Sequence, residues 1–117
     1  MPHVVIEEAL DLGAACQAIP LATVRSGSEI LRVVDLYLNR AARTALVECV
    51  VVEAGRSQPF FVQLSQKDRQ ITVRLLPATD PEKTDGVRRV MALIARQLHE
   101  ATPGSRYGKT NLQEFLA

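Results

Sequence analysis

Between Ile30 and Pro77 the chain passes through four apolar stretches, each too short and too rich in β-branched and aromatic residues to be read as a helix. They are residues 30–38, 44–53, 60–65 and 70–76. Three polar breaks separate them: Asn39 to Arg43, Ala54 to Pro59, and Gln66 to Arg69. Breaks this short leave no room for a parallel crossover, so the four strands are predicted to follow one another as antiparallel hairpins. Ala41-Ala42 has poor chemistry for a two-residue type I′ turn, so a four-residue loop is expected there.

A second signal follows the strands. Thr79 with Glu82 fits a capping box, and Asp80 with Pro81 fits an N-cap followed by proline at the first helical position. Val87, Val90, Met91, Ile94 and Leu98 then recur at steps of three and four, while Arg88, Arg89, Arg96 and Gln97 fall largely outside that face. The pattern predicts an amphipathic helix of about five turns over residues 80–101, stopped by Thr102-Pro103-Gly104. Shorter helical pieces are expected at residues 7–18 and around Leu112, Phe115 and Leu116. Residues 2–6 and 21–25 are short extended candidates. The predicted fold is therefore α+β: a four-stranded antiparallel meander (30–76) packed by one long amphipathic helix, with short helical segments near both termini. At 117 residues a single domain, 1–117, is the default.

Composition narrows the partners. With 14 basic and 13 acidic residues the net charge is +1, which gives no electrostatic case for a nucleic-acid or anionic-membrane partner. No apolar stretch approaches the roughly 18 residues of a membrane span, and the N-terminus lacks the pattern of a signal peptide. Cys16 and Cys49 are far apart and neither belongs to a CxxC pair. Cys49 lies in the most apolar strand and reads as a buried free thiol. His3 and His99 are not spaced as metal ligands. A reducing, cytoplasmic setting is expected, with no metal and no cofactor.

Alternation along the strands divides the sheet into two faces. Ile30, Arg32, Val34, Leu36 and Leu38 group with Ala45, Val47, Cys49 and Val51, and the simplest register sets them under the helix with Phe60 and Ile71. The opposite face carries Leu31, Val33, Asp35 and Tyr37 with Leu46, Glu48, Val50 and Val52. That face is too apolar to be left to water, so either the N-terminal helix or a second subunit is expected to cover it. Asp35 and Glu48 become direct cross-strand neighbours if the first hairpin is symmetric about Ala41-Ala42. Two carboxylates side by side repel; a nearby base such as Arg74, or a shared proton, relieves the repulsion. Asp35, Glu48 and Arg74 are therefore the candidate ligand or acid–base site, set against the plainer reading of carboxylates on a solvated sheet face, which structural ion pairs favour.

Gly104 to Thr110 superficially resembles a phosphate loop, but it has three residues between its glycines instead of four and does not follow a strand. No nucleophile-elbow pattern surrounds a serine. Met1-Pro2-His3-Val4-Val5-Ile6-Glu7, together with Pro20-Leu21-Ala22, Arg25-Ser26 and Ala54-Gly55-Arg56-Ser57, resembles patches of the tautomerase superfamily, most of all the carboxymethyl-hydroxymuconate isomerases. The resemblance implies a β-α-β repeat and an enzyme in which Met1 is removed and the Pro2 amine acts as general base. A proline amine suits that role where burial or neighbouring cations lower its pKa. The chain departs from the family in its short first helix and in the two further strands after Arg56-Ser57.

Two functional expectations result. One is a small binding or assembly module that self-associates or holds a protein partner. The alternative is a tautomerase-like isomerase using Pro2. Neither comes with a readable small-molecule ligand.

Overall fold

The structure, a computed structural model, describes residues 1–116. Its centre is a curled, half-barrel sheet of seven antiparallel strands, which overturns the expected four-stranded meander under one long helix. The strands are β1 (His3–Glu7), β2 (Thr23–Ser26), β3 (Glu29–Leu38), β4 (Thr44–Glu53), β5 (Arg56–Lys67), β6 (Gln70–Leu75) and β7 (Arg106–Thr110). Three α-helices accompany them among the described residues: α1 (Leu12–Gln17), α2 (Asp85–Glu100) and α3 (Gln113–Leu116). The sheet order is β2-β3-β4-β5-β6-β1-β7. The predicted meander is thus the middle of a wider sheet, extended by β2 on one side and by β1 and β7 on the other.

Each extension has a local cause. β1 alternates buried Val4 and Ile6 with half-buried neighbours, and it slots between β6 and β7. β7 has no strand signature in its sequence. It forms because β1 has a second edge to satisfy, and because Tyr107 packs on the core and stacks 4.6 Å from the His99 ring. Gly108 and Lys109 therefore lie in a strand, not in a loop. The β4–β5 turn is shorter than its sequence suggests. Ala54 and Gly55, both at positive φ, make a two-residue turn, and β5 runs straight through Pro59. Pro59 faces Val50 at a position where, by alternation, its nitrogen points away from β4; β6 pairs with β5 only from Val62 onward. A missing N–H is harmless there. The expected four-residue loop does join β3 to β4, where the Asn39 side-chain oxygen accepts from the Arg43 and Thr44 amides at 2.9 and 3.1 Å.

Helix α2 starts at Asp85, five residues after the start its sequence advertises. Thr79 is used elsewhere: its hydroxyl oxygen accepts from the Phe61 amide at 3.0 Å, within a 3₁₀ turn over Pro77–Thr79. Thr84 caps α2 instead. Its hydroxyl donates to Glu53 Oε1 at 2.5 Å, and the Gly86 amide donates to Glu53 Oε2 at 3.0 Å. A carboxylate from the end of β4 thus occupies the positive end of the helix.

All three helices belong to one side of the sheet. Leu12, Ala15 and Cys16 of α1 join the same core as Val87, Val90, Met91, Ile94 and Leu98 of α2, and Phe115 and Leu116 of α3 pack against it. The strands contribute Val4 and Ile6, Leu31 and Val33, Ala45 to Val51 in alternation, Phe60, Val62, Leu64, Ile71, Val73 and Leu75. This corrects the predicted faces of β3. A bulge between Val33 and Asp35 inserts Val34 and shifts the alternation by one. Before the bulge Leu31 and Val33 face the helices, and Ile30 and Arg32 face outward; after it, Leu36 packs on the core and Asp35 and Tyr37 face outward. The N-terminal helix does not cover the second face.

Candidate functional site

Among the described residues no element covers the side of the sheet away from the helices. Its surface can be followed row by row from the pairing. One row runs Arg25, Ile30, Val52, Ser57, and the next runs Thr23, Arg32, Val50, Pro59. Then come Asp35, Glu48, Phe61, and after them Tyr37, Leu46, Gln63, Arg74 and His3. Ile30, Val34, Leu46, Val50, Val52 and Phe61 are half-buried by their neighbours, and Tyr37 is 51% exposed. Aliphatic and aromatic side chains occupy the middle, with charges interspersed.

Asp35 and Glu48 stand directly opposite each other, as the hairpin symmetry predicts. The repulsion is relieved without a base. Asp35 Oδ1 accepts from the Leu36 amide at 2.7 Å, and Glu48 Oε1 accepts from the Tyr37 hydroxyl at 2.9 Å. Tyr37 in turn tilts over Phe61 with ring centroids 6.4 Å apart. The hydrogen bond to Glu48 raises the Tyr37 pKa above its ordinary value, with burial and the charges of Glu48 and Asp35 acting in the same direction. Arg74 is not brought to the pair. It lies two strands from Glu48, between Gln63 and His3. Tyr37, which the sequence did not single out, is the group that completes the carboxylate pair; its position two residues after Asp35 on an outward face was the available signal. Neither carboxylate nor Arg74 lines any of the clefts beside β2, beside Pro2 or around Arg69. The arrangement is an open polar cluster on a sheet surface, suited to contact.

Pro2 is buried and borders an open cleft of about 420 Å³ that it shares with Met1, Lys83, Arg88, Asn111, Leu112 and Glu114. The Met1 carbonyl accepts from Asn111 Nδ2 at 2.8 Å and lies 2.9 Å from His3 Nδ1. With Met1 attached the Pro2 nitrogen is an amide and has no basicity. The β-α-β repeat implied by the tautomerase resemblance is absent. Every strand pairing is antiparallel, and α1 leads from the sixth strand of the sheet order to the first.

The two thiols are buried and free. Burial pushes Cys16 up to about 11, and burial with the adjacent Glu48 charge pushes Cys49 up to about 12. The thiolate is the reactive form. Iodoacetamide at pH 8 is therefore expected to leave both cysteines unmodified in the native protein and to label both in urea, as read by intact mass; fast native labelling of either would contradict its burial. No cluster of three or more His, Cys, Asp or Glu with metal-binding geometry occurs among the described residues. No helix among the described residues is long and apolar enough to cross a membrane.

Comparison with protein-family models, characterised proteins and solved structures yields no match to this chain.

Proposed function

We propose that this protein is a small cytoplasmic binding or assembly module that pairs with a second copy of itself through the outer face of its sheet. The observation that carries the reading is the segregation of α1, α2 and α3 to one side, which leaves a largely apolar face across β3, β4 and β5 without cover from any other element among the described residues. Burying such side chains stabilises by roughly 1.5–3 kcal/mol for each one fully removed from water. A two-fold pairing buries the same patch on both subunits at once. One pair of charges suits it, while Glu48, which falls over Val50 of the other protomer, keeps its hydrogen bond from Tyr37. A two-fold axis crossing the strands between the Arg32–Val50 row and the Asp35–Glu48 row sets Arg32 of each protomer over Asp35 of the other. The same operation sets Ile30 over Tyr37 and Val52 over Leu46. Three strands spaced by about 4.8 Å and about ten residues long cover roughly 500 Å², somewhat below the roughly 600 Å² per partner at the lower end for a stable specific interface. The dimer should accordingly be concentration-dependent.

Light scattering after size exclusion, over a range of protein concentrations, tests this. The parent is expected to shift from monomer to dimer mass, and Val50→Lys, folded by circular dichroism, to stay monomeric. A parent that remains monomeric at high concentration refutes the reading, and so does a folded Val50→Lys with an unchanged dimer mass.

The second reading, an isomerase with Pro2 as general base, is supported by the cleft at Pro2 and by the cations Lys83 and Arg88 that border it. It requires removal of Met1. Intact mass of the native protein decides the point, because a retained methionine leaves no base.

A further inference from the structure

We infer that the free edge of β2 and the cleft beside it bind an extended peptide from a partner protein, which adds an eighth strand to the sheet. The backbone edge and the cleft lie apart from the β3–β5 centre of the outer face proposed above for self-pairing and meet that face only along β2.

β2 ends the sheet and pairs with β3 alone; all four of its residues are exposed. The phase of its hydrogen bonding is fixed by the Ala22 carbonyl, which accepts from the Val33 amide at 2.9 Å. In an antiparallel ladder alternate residues turn their backbone groups to the same neighbour. Ala22, Val24 and Ser26 therefore bond towards β3, and the amides and carbonyls of Thr23 and Arg25 point out of the sheet with no strand to meet them. The opposite edge differs: the β1–β7 ladder is broken by a register shift between Val4 and Ile6, an irregularity that discourages further pairing.

Beside this edge, on the helix side, lies a cleft of about 650 Å³ between β2, α2 and α3. Such a volume falls within the usual range for ligand sites. Val24, Leu31, Leu93 and Phe115 give it apolar walls, and Val24 is 42% exposed because nothing fills the space next to it. The rim is held by polar contacts: Arg89 pairs with Glu29, and Arg96 Nη1 donates to the Phe115 carbonyl at 2.7 Å.

The two features together specify the occupant. Donors and acceptors repeating every second residue along an open edge are matched by an extended backbone. A strand laid about 4.8 Å beyond β2 would drop alternate side chains next to Val24 and against Leu93 and Phe115. Its remaining side chains would emerge on the outer face beside Arg25, an exposed cation in no ion pair among the described residues. Cross-strand neighbours of opposite charge are favourable. The preferred ligand is thus an extended segment in which an acidic residue lies between two apolar ones.

A random octapeptide library displayed on phage, panned against the purified chain, tests the inference. The expected consensus is apolar–acidic–apolar. A synthetic peptide of that consensus should bind in fluorescence polarisation, and at saturation it should slow amide exchange at Thr23 and Arg25 by tenfold or more. Arg25→Pro removes one outward amide without touching the β3 ladder, and Leu93→Glu charges the cleft wall; each should weaken binding at least tenfold, while Val50→Lys binds as the parent does. Failure to select any consensus, or a selected peptide that leaves Thr23 and Arg25 unprotected, overturns the inference. A parent dimer that Arg25→Pro converts to monomer and that Val50→Lys leaves intact also overturns it, by giving the edge to a second copy of the chain.

Discussion

Val90→Asp is expected to destabilise the fold strongly. Val90 is fully buried on the sheet-facing side of α2, the one helix that contacts β1, β3, β4 and β6 together. Around it lie Val87, Met91 and Ile94, all equally closed to water, and none can pair with a carboxylate. An unpaired buried charge costs several kcal/mol even after the site relaxes or the group takes up a proton. A domain of this size is stabilised by roughly 6–18 kcal/mol in total at the usual stability per residue. A loss of about 4 kcal/mol or more therefore removes between roughly a fifth and two thirds of that stability. Val90→Ala removes packing without adding charge and should cost only about 1–2 kcal/mol. Urea titration of the pair separates the two effects. An unchanged midpoint for Val90→Asp would mean that this face of α2 is not against the sheet.

Gly86→Val should be the next most damaging substitution, for a reason that has nothing to do with backbone conformation. A Cβ at Gly86 would lie 2.6 Å from Glu53 Cδ and 2.7 Å from Val51 Cγ1. The glycine is there so that α2 can begin directly against the end of β4, with the Glu53 carboxylate held between the Thr84 hydroxyl and the Gly86 amide. A larger residue must push that carboxylate out and shift Val51 in the core. Losing a helix cap costs about 1 kcal/mol and overpacking about 1–3 kcal/mol, so thermal unfolding should report a loss of about 2–4 kcal/mol. Gly86→Ala should cost less, and combining it with Glu53→Ala should cost less than the sum of the two changes, because the second removes part of the clash. Strict additivity, or an unaffected Gly86→Ala, would show that the contact is not tight.

The same carboxylate explains why the start of α2 could not be read locally. Thr79, Asp80, Pro81 and Glu82 offer a complete set of start signals, but the partner that decides the matter, Glu53, lies some thirty residues earlier in the chain. β3 to β6 were legible in position because their β-branched runs are long and their breaks are polar. Their faces were not wholly legible, because Val33 and Val34 are both apolar and leave no trace of the bulge that reverses the alternation. β7 carries Arg106, Gly108, Lys109 and Thr110, a polar set that becomes a strand only because β1 has an edge to offer. Within the candidate site, the opposition of Asp35 and Glu48 followed from the symmetry of one hairpin. The distance of Arg74 from them depended on a pairing between strands not yet in register. The cleft beside β2 takes its walls from β2, β3, α2 and α3, a convergence for which no linear pattern exists.

The position of β1 has a kinetic consequence. His3–Glu7 is the earliest strand in sequence, but it is an interior strand of the sheet, flanked by β6 and by β7 about a hundred residues later. Hairpins β3–β4, β4–β5 and β5–β6 close short loops and can form as soon as their residues are available, whereas β1 must wait for β6, and β7 for β1. Contacts so distant in sequence slow folding, since chain entropy is surrendered before they form. The last strand to join should therefore be β7, whose one sheet neighbour among the described residues is β1. Until β6 has left the ribosome Val4 and Ile6 have no strand to pair with, and until about residue 110 has left it β1 keeps one open backbone edge, so this segment stays open to wrong pairings through most of synthesis.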